Sequence, residues 1–167
     1  PRLNQYIPQA PTPKQAAFLL LPVIEAFYGG QPGGGKSSAL LMAALQYVDV
    51  PGYSALLLRR TYADLALAGA LMDRARSWLA GTDAVWNEQR KIWRFPSGAT
   101  LTFGYLENEN DKYRYQGSEF QFVGFDEVSQ FTETQYRYLF SRLRRLTGSV
   151  VPLRMRSAGN PPTTADG

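Results

Sequence analysis

The stretch Gly29-Gly30-Gln31-Pro32-Gly33-Gly34-Gly35-Lys36-Ser37-Ser38 constrains this chain more than any other. It satisfies G-x-x-x-x-G-K-[ST], with Gly30, Gly35, Lys36 and Ser37 in the fixed places. Glycines let successive backbone N–H groups face one concavity without Cβ clashes, and a helix starting near Lys36 adds the positive end of its dipole. Such a loop binds an anion. The backbone at Gly30, Gly33, Gly34 and Gly35, continuing through Ser37 and Ser38, is expected to cradle the phosphates of a nucleotide. Lys36 would bring a point charge to the β- and γ-phosphates, and the Ser37 hydroxyl would be one ligand of a Mg²⁺ that keeps several waters. A chance match in a chain of this size is on the order of 1%. The flanks favour function over a flexible glycine turn, because residues 23–28 suit a strand and residues 38–45 are strong helix formers.

A second stretch, Phe120-Gln121-Phe122-Val123-Gly124-Phe125-Asp126-Glu127, is an apolar run ending in two acids. By itself that is often a strand meeting solvent; downstream of a phosphate loop it reads as a Walker B strand. Asp126 would orient Mg²⁺ and its waters, and Glu127 would take a proton from, or align, the water that attacks the γ-phosphate.

The remaining segments suit a sheet with helices. Thr12-Pro13-Lys14-Gln15 is a capping box opening a short helix, so Gln15 either caps or contacts the adenine edge. Residues 53–58 read as a buried strand delivering Arg59 to the edge where open α/β sheets bind ligands. Residues 61–80 are expected to form one helix with Leu65, Ala68, Met72, Ala75 and Leu79 on its core face. Residues 91–95 and 100–105 alternate as a β-hairpin, whose Trp86, Trp93 and Phe95 fit a half-buried face better than a base-stacking one. A helix from Thr132 to about Leu146 would place Arg142 and Arg145 on its polar side, and a last strand would end at Ala158-Gly159-Asn160.

Composition excludes much chemistry. The 167 residues, 44% hydrophobic and 13% aromatic, suit one globular domain over 1–167. With no histidine and no cysteine, thiol catalysis, histidine bases, zinc clusters and disulfides are ruled out for this segment, and a metal must be held by oxygens. There is no membrane-spanning run or signal peptide. A net charge of +4 and pI near 9.4 favour a polyanionic partner only weakly. The start at Pro1 and the stop at Gly167 read as a fragment of a longer protein.

Taken together, Thr12 to Gln15, Gly29 to Ser37, Leu58-Arg59-Arg60-Thr61-Tyr62, Tyr115-Gln116-Gly117, Val123 to Glu127, Ser141-Arg142-Leu143-Arg144 and Gly159-Asn160-Pro161 resemble the packaging ATPase domain of the large terminase subunit of tailed bacteriophages. The resemblance implies an α/β P-loop NTPase fold of the additional-strand, catalytic-glutamate type: a mainly parallel sheet flanked by helices, with a β-hairpin insertion. It implies ATP and Mg²⁺ as cofactors, Gln15 near adenine, Lys36 and Ser37 on phosphate and metal, Asp126 on metal, and Glu127 as the catalytic carboxylate. Ser157 and Asn160 would belong to the motif coupling hydrolysis to movement. Implied partners are double-stranded DNA, the portal protein, the small terminase subunit and further copies in a ring, usually of five. The work would be done in the host bacterial cytoplasm, at the portal of a procapsid. Two departures stand out. Family members often carry an arginine where this chain has Gln31-Pro32, so the completing charge must come from Arg59, Arg114 or Arg142, with Arg114 first as a finger given in trans. The nuclease domain that normally follows is absent, so no DNA cleavage is expected. Helicase- or recombinase-like ATPases, a kinase and a nucleotide-gated assembly module are the competing readings.

Overall fold

A computed structural model of the chain describes residues 2–30 and 35–160; the expected phosphate contacts at Gly33 and Gly34 lie outside the described residues. The capped helix α1 (Pro13–Leu20) leads into strand β1 (Glu25–Gly29), and α2 (Lys36–Leu45) follows the loop. Next come β2 (Ser54–Arg59), α3 (Tyr62–Leu65) and α4 (Leu71–Leu79), then β3 (Val85–Asn87), β4 (Ile92–Arg94) and β5 (Thr100–Tyr105). A 3-10 turn over Glu109–Tyr115 precedes β6 (Phe122–Asp126), and α5 (Glu133–Phe140) separates it from β7 (Arg154–Gly159).

The strands form one seven-stranded sheet in the order β1-β7-β6-β2-β5-β4-β3. The first five run parallel, and β4 and β3 close the far edge antiparallel. β7, last in sequence, lies between the phosphate-loop strand β1 and the acidic strand β6. It is the additional strand that the sequence reading implies. Register aligns the carboxyl ends: Gly29 lies opposite Gly159, Asp126 opposite Ala158, and Leu58 opposite Phe125.

Both faces of the sheet are covered, which is why β2 is a continuous apolar run rather than an alternating one. Ala55 and Leu57 join the core under α1, α2 and α4, while Leu56 and Leu58 join a second core with Val123, Phe125 and Leu139 under α5. A buried arginine on β7 anchors the chain before β1. Arg156 donates to the carbonyls of Leu21, Val23 and Ile24 at 2.9, 3.0 and 2.7 Å, and burial pushes its pKa down to about 10.

Three local expectations are corrected. The helix expected over 61–80 is two helices, because the chain turns at Gly69 with φ +78° and Ala68 is exposed. The helix expected to run to Leu146 stops at Phe140, because residues 142–144 bond to Phe120 as an extra bridge at the start of β6 and bury Leu143. The hairpin of β4 and β5 does not pack on the sheet but continues it, since β5 pairs parallel with β2. Its Trp93 and Phe95 are buried and Trp86 is half-buried, Trp86 stacking at 5.2 Å on Trp93. Among the described residues no helix is long and apolar enough to cross a membrane.

Candidate active site

The ends of β1, β7, β6 and β2 meet at one sheet edge, where a parallel sheet places its ligands. Gly35, with φ +83°, turns the chain into α2, and a Cβ there would stand 2.7 Å from Gln15 Nε2. Both the backbone and the neighbour demand glycine. Lys36 opens the helix and is nearly buried, and Ser37 beside it is half-buried.

Lys36 Nζ donates to Asn160 Oδ1 at 2.6 Å and lies 3.4 Å from Glu127 Oε1. Lys36, Glu127 and the asparagine after β7 therefore form one cluster, although they are far apart in sequence. Glu127 has φ 55° and ψ 59°, a left-handed backbone that is uncommon for a residue other than glycine. This turn ends β6 abruptly and aims the carboxylate back at Lys36.

Asp126, 3% exposed, faces Arg59 with Nη1 3.6 Å from Oδ2. Burial raises its pKa above the ordinary carboxylate value; Arg59 and Lys36 oppose that rise and Glu127 adds to it. The Arg59 Nε is buried and has no partner among the described residues. Arg59 thus occupies the site as the counter-charge of Asp126. A buried carboxylate and a serine hydroxyl are hard oxygen donors, which suit Mg²⁺ and do not suit softer metals.

Gln15 is 2% exposed, and both ends of its amide are engaged. Oε1 accepts from Thr12 N at 3.0 Å, completing the capping box, and Nε2 donates to Gly35 O at 3.0 Å. It therefore caps α1 and fastens that helix to the loop. Two cations that the sequence reading passed over also reach this region. Lys14 Nζ donates to Gly29 O, and Arg74 Nη1 on α4 donates to Ser38 Oγ at 3.0 Å. The sequence carries no signal for either, since the Lys14 contact depends on how α1 docks and the Arg74 contact on how α4 packs.

Neither of the other two arginines bonds to Lys36, Asp126, Glu127 or Asn160 among the described residues. Arg114 is exposed beyond the end of β5, donates to Tyr105 O, and stacks 4.3 Å from the centre of the Tyr105 ring. Arg142 sits at the opposite edge of the sheet, where its carbonyl accepts from Phe120 N at 3.0 Å before β6 begins. Strand β6, at about 3.3 Å per residue, separates Arg142 from Glu127 by more than an arginine side chain can span.

The family model for the terminase large subunit, T4likevirus-type, N-terminal part, matches residues 27–151. No curated protein matches significantly. Among solved structures, the bacteriophage HK97 large terminase is 11% identical, with TM-score 0.68 over 91% of this chain and 33% of that one. The N-terminal domain of the DNA packaging ATPase from bacteriophage phi29 is 16% identical, with TM-score 0.62 over 89% of this chain and 78% of that one. A large terminase from a thermophilic bacteriophage, in complex with ATP-γ-S, is 14% identical, with TM-score 0.62 over 89% of this chain and 38% of that one. These likenesses establish the fold. The chain spans a third of the HK97 protein and about two fifths of the thermophilic one.

Proposed function

This chain belongs to the terminase large subunit family, and from that premise we propose that it is a Mg²⁺-dependent ATPase whose cycle drives double-stranded DNA into a procapsid. The observation that supports the reading is the convergence of Lys36, Asp126 and Glu127 at one sheet edge. A triphosphate in the loop offers Lys36 anionic oxygens in place of the Asn160 amide and the Glu127 carboxylate. Glu127, released from Lys36, accepts a proton from the attacking water as its oxygen bonds to the γ-phosphorus and the bond to ADP breaks. Ser37 and Asp126 would hold Mg²⁺, which supplies neutralisation of the charge on the phosphate oxygens. Asn160, left without its lysine, passes the change of state to β7.

Arg114 is exposed, so we assign it as the finger offered to a neighbouring copy in a ring, at the host bacterial portal with the small subunit as further partner. The proposal includes no DNA cleavage. The test is ATP hydrolysis with Mg²⁺ by the wild type and by Glu127→Ala, over a range of protein concentrations, with and without double-stranded DNA. We expect a rate that rises faster than linearly with protein and falls about 100-fold or more in the variant. Equal rates for the two proteins would overturn the assignment of Glu127.

A further inference from the structure

We propose that Lys14 is a second phosphate-binding cation of this site, one that reads the terminal phosphate; the inference rests on the nucleotide reading above. The sequence holds no basic residue between Gly29 and Gly35, so Lys36 is the loop's own lone charge. Helix α1 supplies what the loop lacks. Its adjacent residues Lys14 and Gln15 grip the two ends of the loop, Lys14 at the Gly29 carbonyl and Gln15 at the Gly35 carbonyl.

The position of the ammonium is specific. Lys14 Nζ lies 3.4 Å, and Lys36 Cγ 3.9 Å, from the point where a Cβ on Gly30 would stand. The two lysines therefore pass the same glycine, which brings the Lys14 ammonium beside the path of Lys36. The Lys14 ammonium also lies 4.6 Å from the centre of the Tyr28 ring, whose face attracts the charge without neutralising it. Among the described residues no carboxylate pairs with Lys14.

Its present partners are thus a neutral carbonyl and a ring face. A bond to an ionised oxygen is roughly twice as strong as one to a neutral acceptor. The side chain is long and exposed, so exchanging the Gly29 carbonyl for a phosphate oxygen needs only rotation about its own bonds. Lys36, now held by Asn160 and Glu127, serves the β- and γ-phosphates together. Lys14, held only by a neutral carbonyl and a ring face, is the cation available for the charge that ADP lacks.

The experiment is calorimetric binding of Mg²⁺–ATP-γ-S and Mg²⁺–ADP to the wild type, Lys14→Met, Lys14→Arg and Lys36→Ala. We expect Lys14→Met to weaken ATP-γ-S binding about tenfold while ADP binding changes no more than about twofold, and Lys14→Arg to keep most of the preference. A lysine that only braces the backbone would lower both affinities together. A ratio of affinities in Lys14→Met equal to that of the wild type, while Lys36→Ala loses both nucleotides, overturns the role of Lys14 alone. Wild-type binding of both nucleotides by Lys36→Ala overturns the phosphate-loop reading and this inference with it.

Discussion

Glu127 is bound by two constraints at once: its carboxylate must face Lys36, and its backbone must adopt a left-handed turn to put it there. Glu127→Gln keeps the shape and the turn but cannot accept a proton. It should retain nucleotide binding and lose hydrolysis by a factor of about 100 or more, read by comparing nucleotide affinity with the rate of phosphate release. Its neighbour answers to a different force. The native state holds the proton of Asp126 more tightly than the unfolded chain does, because burial outweighs Arg59. This group's contribution to stability is therefore fullest below the ordinary carboxylate range and is lost as pH rises through the elevated native value. Asp126→Asn should accordingly raise the melting temperature of the nucleotide-free protein at neutral pH while abolishing Mg²⁺-dependent turnover, checked by thermal melts beside the activity assay. Lys36, Asp126 and Glu127 were legible because their spacing from glycines and from an apolar run is itself the signal. Lys14 was not, since a lysine inside a capping box gives no hint that its far end lies against a loop that follows a whole strand later.

Elements were legible where both faces are buried and obscure where a helix had to stop. The apolar run of β2 and the acidic end of β6 are written plainly. The breaks at Gly69 and after Phe140 were hidden, since helical periodicity continues through both and only tertiary packing interrupts it. Leu143 fits a helical stripe equally well, yet its burial comes from the bridge to Phe120. One close approach fixes how the turn carrying Arg114 docks on β5: a Cβ on Gly104 would stand 2.0 Å from the Tyr115 hydroxyl. Gly104→Ala must displace Tyr115, and should cost about 1–3 kcal/mol in a denaturant titration. If the finger assignment holds, the same variant slows hydrolysis at high protein concentration more than it changes nucleotide affinity. At the other end of the sheet, Thr12 accepts from Gln15 N at 3.2 Å and begins the helix that holds the loop. Thr12→Ala should cost about 0.5–2 kcal/mol of stability and weaken nucleotide binding through Gln15, with calorimetry reading the second effect.

For the molecule as a whole, folding and nucleotide binding are linked, because the site draws on α1, α2, β2, β6 and β7 and exists only when they are assembled. Mg²⁺ and ATP at about 100 times their Kd should stabilise the chain by about 2.7 kcal/mol, a rise in melting temperature of about 5–10 °C for a domain of this size. Lys36→Ala should remove that rise while leaving the nucleotide-free melting temperature within a few degrees. The layered α/β architecture could be read from the order of apolar runs, whereas the place of β7 came from the resemblance alone: strand order is decided by pairing between distant segments, and no local pattern encodes it. That placement carries a mechanical consequence. At its start β7 grips the chain leading into β1 through Arg156, and just beyond its end Asn160 holds Lys36. Hydrogen-bonded along both sides, the strand is a strut with little slack, and a tug at either end is felt at the other before it can dissipate in solvent-exposed loops.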